Sequence, residues 1–159
     1  MKRLPPIGMC GKIPEGMRGD FPLLATTDYV APQKAVGSLS GFLSPVIPIR
    51  FIKGSQKTEW IDAMIDTGSF YSLAKESIFR SLDINSIGKT FGEHIEDGKM
   101  PFETYPCCFQ LSDLKIAFST VFMKLHDSFQ FDAVIGSHIF EICDLYIYGK
   151  EKRFELIFK

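Results

Sequence analysis

The sequence predicts a mostly-β domain with two short helices, and three observations carry that reading. The 159 residues include fifteen Phe and five Tyr, side chains that suit a pleated, half-buried surface. Short apolar runs recur along the chain, punctuated by turns containing Gly, Asp and Ser. Asp97-Gly98 stands between two of those runs, which is a strong hairpin signal. A chain of this length reads as one domain, or one domain plus a tail, and can bury enough surface to need no disulfide or metal.

Taken in order, residues 1–45 differ from the rest. They hold six of the nine prolines and six of the thirteen glycines. They lack a hydrophobic period and read as an irregular arm or extension, leaving residues 46–159 as the folded domain. Val46–Ile52 is an apolar strand, and Pro48 marks it as an edge or a strand start. Trp60–Asp66 is a second strand that runs into the turn Thr67-Gly68-Ser69. Ala74, Ile78 and Leu82 recur every four residues and predict a helix of about two to three turns. Strands around Thr90–Ile95 and Met100–Leu111 form the hairpin around Asp97-Gly98, and Lys115–Leu125 follows as another strand. Asp132–Gly136 is a short apolar strand stopped by glycine. Ser137 is placed to cap a second short helix reaching Cys143. Leu145–Tyr148 and Phe154–Phe158 make a terminal hairpin whose last strand offers a free edge.

Composition excludes several functions. The formal net charge of -1 gives no electrostatic footprint for nucleic acid or an acidic membrane. No apolar run approaches 18 residues, so no membrane span is expected. The first residues, MKRLPPIGMCGKIPEG, lack the apolar stretch of a secretory signal. Cys10, Cys107, Cys108 and Cys143 form no C-x-x-C pattern and read as reduced thiols in a cytoplasmic protein. His94, His126 and His138 are scattered, so neither a metal nor another cofactor is expected.

The chemistry concentrates in Ala63-Met64-Ile65-Asp66-Thr67-Gly68-Ser69. A carboxylate leaves an apolar strand and enters a tight turn at once. Gly68 lets the backbone pass close to another chain or a substrate. The Thr67 hydroxyl can donate or accept inside a dry site. Ser69 is placed to donate a hydrogen bond to the Asp66 carboxylate. Seventy residues on, Ala133-Val134-Ile135-Gly136 repeats the theme of an apolar strand ending in glycine. Asp132 precedes that strand, but Ala133 follows it, so the carboxylate turn occurs once.

This combination resembles the retropepsin-like aspartic proteases. Ile65-Asp66-Thr67-Gly68-Ser69 matches the strand that ends in the catalytic turn of that family, and Val134-Ile135-Gly136 matches the apolar segment that crosses beside it. The run Ile135–Ile147 is similar to the cellular, bacterial-type branch. Ser137 and His138 depart from the family, where Arg or Met and then Asp or Asn are common. The resemblance implies a closed β-barrel, one acid-protease half, with its active site at a homodimer interface. It implies Asp66, Thr67 and Gly68 as the catalytic turn, with Ser69, Ile135 and Gly136 in support. The hairpin Phe91–Phe102 takes the place of the substrate-binding flap, with Gly92, His94, Asp97 and Gly98 as its candidate residues. The substrate implied is an extended polypeptide, and one Asp66 from each protomer would activate a water. The alternative is a dimerisation or peptide-binding module of the same fold without hydrolysis. The intact Asp-Thr-Gly-Ser favours the enzyme, because a pure binder needs no ionisable group at a dry centre.

Overall fold

The computed structural model describes residues 8–9, 33–41, 44–94 and 98–158. Its strands are β1 (Gly8–Met9), β2 (Gln33–Ser40), β3 (Ser44–Lys53), β4 (Gln56–Lys57), β5 (Ile61–Asp66), β6 (Ser72–Lys75), β7 (Gly88–His94), β8 (Gly98–Leu111), β9 (Phe118–Leu125), β10 (Ala133–Gly136), β11 (Cys143–Tyr148) and β12 (Arg153–Phe158). One α-helix, α1 (Glu76–Ser81), follows β6, and 3-10 turns span Ser137–Glu141 and Gly149–Glu151. The protein is mostly β. The strands belong to one sheet, with the main path β11-β12-β2-β3-β5-β10-β6-β9-β8-β7, and β8 pairs back onto β3.

Alternation decides which faces are buried. Along β2, Ala35, Gly37 and Leu39 turn inward while Lys34, Val36 and Ser38 turn out. β3 sends Ile47, Ile49 and Phe51 into the core, and β5 sends Ala63 and Ile65. Phe51 packs edge-on against Phe122 at 4.9 Å between ring centres, and Phe79 of α1 stacks on Tyr105 at 4.0 Å. Such aromatic pairs add about 0.5–1.5 kcal/mol each beyond their buried area. β10 is buried along its whole length, which is why it reads as an unbroken apolar run rather than an alternating one. Gly37 faces Phe154 across β2 and β12. A Cβ there would meet the Phe154 ring at 2.2 Å, so the ring occupies the space that glycine leaves.

Several expectations need correction. Gln33–Ser40 lies in the segment read as an irregular arm, yet it is a full strand between β12 and β3. Its three inward positions include a glycine, which hid the period. Ala74 belongs to strand β6, not to the helix, because β6 pairs with both β9 and β10. The helix is therefore six residues long. Ser137 opens its 3-10 turn without capping it: Gly136 is the cap residue and no side-chain cap bond forms. That turn ends at Glu141, short of Cys143. The strand expected from Lys115 begins at Phe118. Pro48 is interior to β3, but its carbonyl accepts from Ser112 N–H on the side where β3 changes partner from β2 to β8. The missing proline N–H thus falls between two ladders.

The terminal strand is not a free edge. β12 lies between β11 and β2, and Phe154, Leu156 and Phe158 are core residues. Removing residues 155–159 would strip the core rather than free a monomer. Glu155, also buried, pairs with Lys34 at 3.1 Å and with Arg153. Cys107 and Cys143 are free and buried, but Cys108 is disulfide-bonded. That bond removes the cysteine argument for a reducing compartment.

Candidate active site

Asp66 is the last residue of β5, and its position follows from the pairing on either side. β10 runs parallel to β5 with Ala133 beside Ala63, Val134 beside Met64, Ile135 beside Ile65 and Gly136 beside Asp66. On its other edge β10 is antiparallel to β6, with Val134 beside Leu73. The chain therefore leaves β5 at Asp66, turns through 67–71, and returns as β6 on the far side of β10. The two segments singled out from sequence, seventy residues apart, end side by side.

The turn is organised by its own backbone. Gly68 N–H donates to Asp66 Oδ1 at 2.9 Å, and Ser69 N–H donates to the Asp66 carbonyl at 3.3 Å. Among the described residues, the Gly68 amide is the one hydrogen-bond partner of the Asp66 side chain. Thr67 and Gly68 are exposed and Asp66 is half-buried. The carboxylate is thus oriented by one amide while the turn stays open to a ligand or a second chain. The bond expected from Ser69 to the Asp66 carboxylate is absent. Ser69 Oγ donates instead to the Tyr71 carbonyl at 2.8 Å, so Ser69 shapes the exit of the turn.

Three consecutive residues clasp the turn from the other side. Gly136 N–H donates to Ser72 Oγ at 3.1 Å. Ser137 N–H donates to the Ser69 carbonyl at 2.6 Å. His138 Nδ1 lies 3.1 Å from the Phe70 carbonyl. Gly136 is needed for this approach: a Cβ there would meet the Tyr71 carbonyl oxygen at 2.3 Å and the Ser69 carbonyl oxygen at 2.9 Å. Ile135 is fully buried beneath. Sequence reasoning took His138 for a helix-start residue and did not use Ser72. The buried hydroxyl has no pattern of its own, and its partner lies 64 residues away.

The flap candidates divide. Gly92 and His94 lie in β7 and Gly98 in β8, with His94 opposite Gly98 in an antiparallel hairpin. Asp97 lies outside the described residues. Asp132, just before β10, pairs with Lys75 at 2.9 Å. Thr67 shares a shallow depression with Phe140, Cys143, Asp144, Leu145 and Tyr146, which places the turn next to edge strand β11. Cysteine chemistry is disfavoured at Cys107 and Cys143, whose thiols burial pushes up to about 12, since the thiolate is the reactive form. Among the described residues no three His, Cys, Asp or Glu side chains cluster as a metal site would require. No described helix is long and apolar enough to cross a membrane.

No protein-family model matches the chain, and no curated protein sequence does. Solved structures do match. A crystal structure of a retropepsin-like aspartic protease from Rickettsia conorii superimposes with a TM-score of 0.57, covering 80% of this chain and 93% of that one. The fold is retropepsin-like. At 11% identity the likeness is one of backbone arrangement.

Proposed function

We propose that this chain is an aspartic endopeptidase, acting as a homodimer on extended polypeptide. One observation carries the proposal: Asp66-Thr67-Gly68 ends β5 in parallel register with Gly136, inside a retropepsin-like fold. The return of β8 onto β3 supports the closed barrel that such a protease half needs. Each chain holds one such turn, so a second Asp66 comes from a second copy around a twofold axis. Two carboxylates about 3 Å apart share one proton, as in aspartic proteases generally. One takes a proton from the attacking water while the other protonates the scissile carbonyl oxygen. Substrate would lie as an added strand beneath the β7–β8 hairpin.

Strand β11 is the dimer contact this reading proposes. Among the described strands, β11 is an end of the main path, with β12 as its sole partner. Tyr146 and Ile147 on it are 46% and 56% exposed, and the depression it shares with Thr67 brings that edge to the turn. Ile147→Asp is expected to weaken self-association while leaving the fold unchanged by circular dichroism. A variant that associates as tightly as wild type would move the interface elsewhere.

The hairpin is proposed as a mobile cover for the cleft. Gly98→Pro removes a backbone donor and restricts φ at the start of β8. It is expected to lower turnover and leave the dimer intact. Unchanged turnover, or hydrogen exchange as slow in β7 as in β10, would count against a moving flap. The decisive test of the whole reading is fragment analysis: an unfolded protein incubated with wild type and with Asp66→Asn, followed by mass spectrometry. Fragments from wild type alone support the endopeptidase. Fragments from neither leave the non-hydrolytic module.

A further inference from the structure

Alternate residues of a strand share a face, which puts Asp62 and Asp66 on one side of β5, about 13 Å apart at the usual strand rise. Asp62 lines an open cavity of about 560 Å³, within the range of small-ligand sites. Its register partner Pro48, with Val36, Val46 and Phe131, gives the cavity apolar walls. Gln130 and Phe131 enter it from the loop that leads into β10. Among the described residues, the Asp62 carboxylate has no hydrogen-bond or ion-pair partner. The charges around it are already matched. Asp132, next to Phe131, holds Lys75 at 2.9 Å. Arg50, on the same face of β3 as Pro48, donates to Gln110 Oε1 at 2.9 and 2.7 Å and lies over the Trp60 ring. Arg153, opposite Ser38, is held by Glu151 and Glu155. Asp62 is left as an unmatched carboxylate in an apolar-walled cavity.

We propose that this cavity is a substrate pocket that takes a lysine or arginine side chain of the extended polypeptide, within about four residues of the scissile bond. As a substrate pocket it rests on the protease reading above. A basic side chain matches both halves of the cavity. Its aliphatic stem lies along Val46, Pro48 and Phe131, as such stems do on apolar surface. Its charged tip meets the Asp62 carboxylate in a charge-assisted hydrogen bond. An apolar side chain would leave that carboxylate unmatched, and an acidic one would be repelled. Position favours a substrate as the occupant: Asp62 and Asp66 share one face of β5, so a chain lying across Asp66 along that face reaches the cavity. Asp62 sets specificity there and takes no part in proton transfer.

The first test uses the full wild-type chain, labelled for nuclear magnetic resonance, and a side-chain mimic, Nα-acetyl-lysine methylamide, with the norleucine analogue as uncharged control. The amides of Ser38, Asp62 and Gln130 are expected to shift with the lysine probe and not with norleucine. In Asp62→Asn the two probes should act alike. A lysine probe that moves none of these amides, or moves them equally in Asp62→Asn, overturns the pocket. The second test is cleavage of a peptide library in which each position in turn carries Lys, Met or Glu. Wild type should favour Lys over Met at one position by about fivefold in kcat/KM, through KM, and Asp62→Asn should bring that ratio to about one. Asp62→Lys should turn the preference toward Glu. Cleavage without a basic preference, or with one that survives in Asp62→Asn, overturns the pocket and leaves the protease reading standing. A library left whole, with a lysine probe that still needs Asp62, removes the protease reading and keeps the site for a basic side chain. An Asp62→Lys variant that changes sedimentation and not peptide preference puts a second copy in the cavity, which overturns the substrate pocket.

Discussion

Asp66→Asn is expected to abolish peptide hydrolysis, by about 10⁴-fold or more, with little change in thermal stability. Asparagine matches the shape of aspartate and can still accept from Gly68 N–H, whose bond to Asp66 Oδ1 orients the side chain. It cannot take a proton from water. In a twofold dimer the single substitution removes both carboxylates, so base and acid are lost together; proton transfer of each kind contributes about 10²–10⁴-fold. Because the side chain is half-buried at the mouth of the turn, folding has little stake in its charge. Parallel loss of activity and of melting temperature would show a structural role instead.

Gly136→Ala is expected to be strongly destabilising. The added methyl would lie 2.3 Å from one backbone carbonyl oxygen and 2.9 Å from another. These are backbone atoms of the 67–71 turn; the Ser69 carbonyl accepts from Ser137 N–H and the Tyr71 carbonyl from Ser69 Oγ, and neither has a rotamer to yield. Relief requires β10 to part from the turn. A cost of about 3 kcal/mol or more follows from such overpacking, near 10 °C in melting temperature for a chain this size. Gly149→Ala is the control, since a Cβ there meets nothing within 4 Å. Equal melting temperatures for the two variants would show that the clasp between β10 and the turn is looser than its geometry.

How much of this was legible in the sequence depends on the range of the interaction. The hairpin around Asp97-Gly98 and the strand into Asp66-Thr67-Gly68 are local patterns, and β7, β8 and β5 fall where those patterns put them. The pairing of Gly136 with Asp66 was legible only through the family resemblance, since no local rule aligns residues seventy apart. What escaped was set by tertiary pairing. Gln33–Ser40 contains Gly37 at an inward position, and only the ring of Phe154 explains it. Ala74 continues a helical spacing in sequence, but two neighbouring strands claim it. Ser69 had a plausible acceptor in Asp66 and a better placed one in Tyr71. The partners of His138 come from β6, β9 and the turn, and no spacing announces them.

The central claim is that two copies of Asp66 share one site. The most direct measurement follows sedimentation and specific activity together over a dilution series of the wild-type chain. The account predicts specific activity that falls in step with the dimer fraction. A monomer with full activity at each dilution would contradict it.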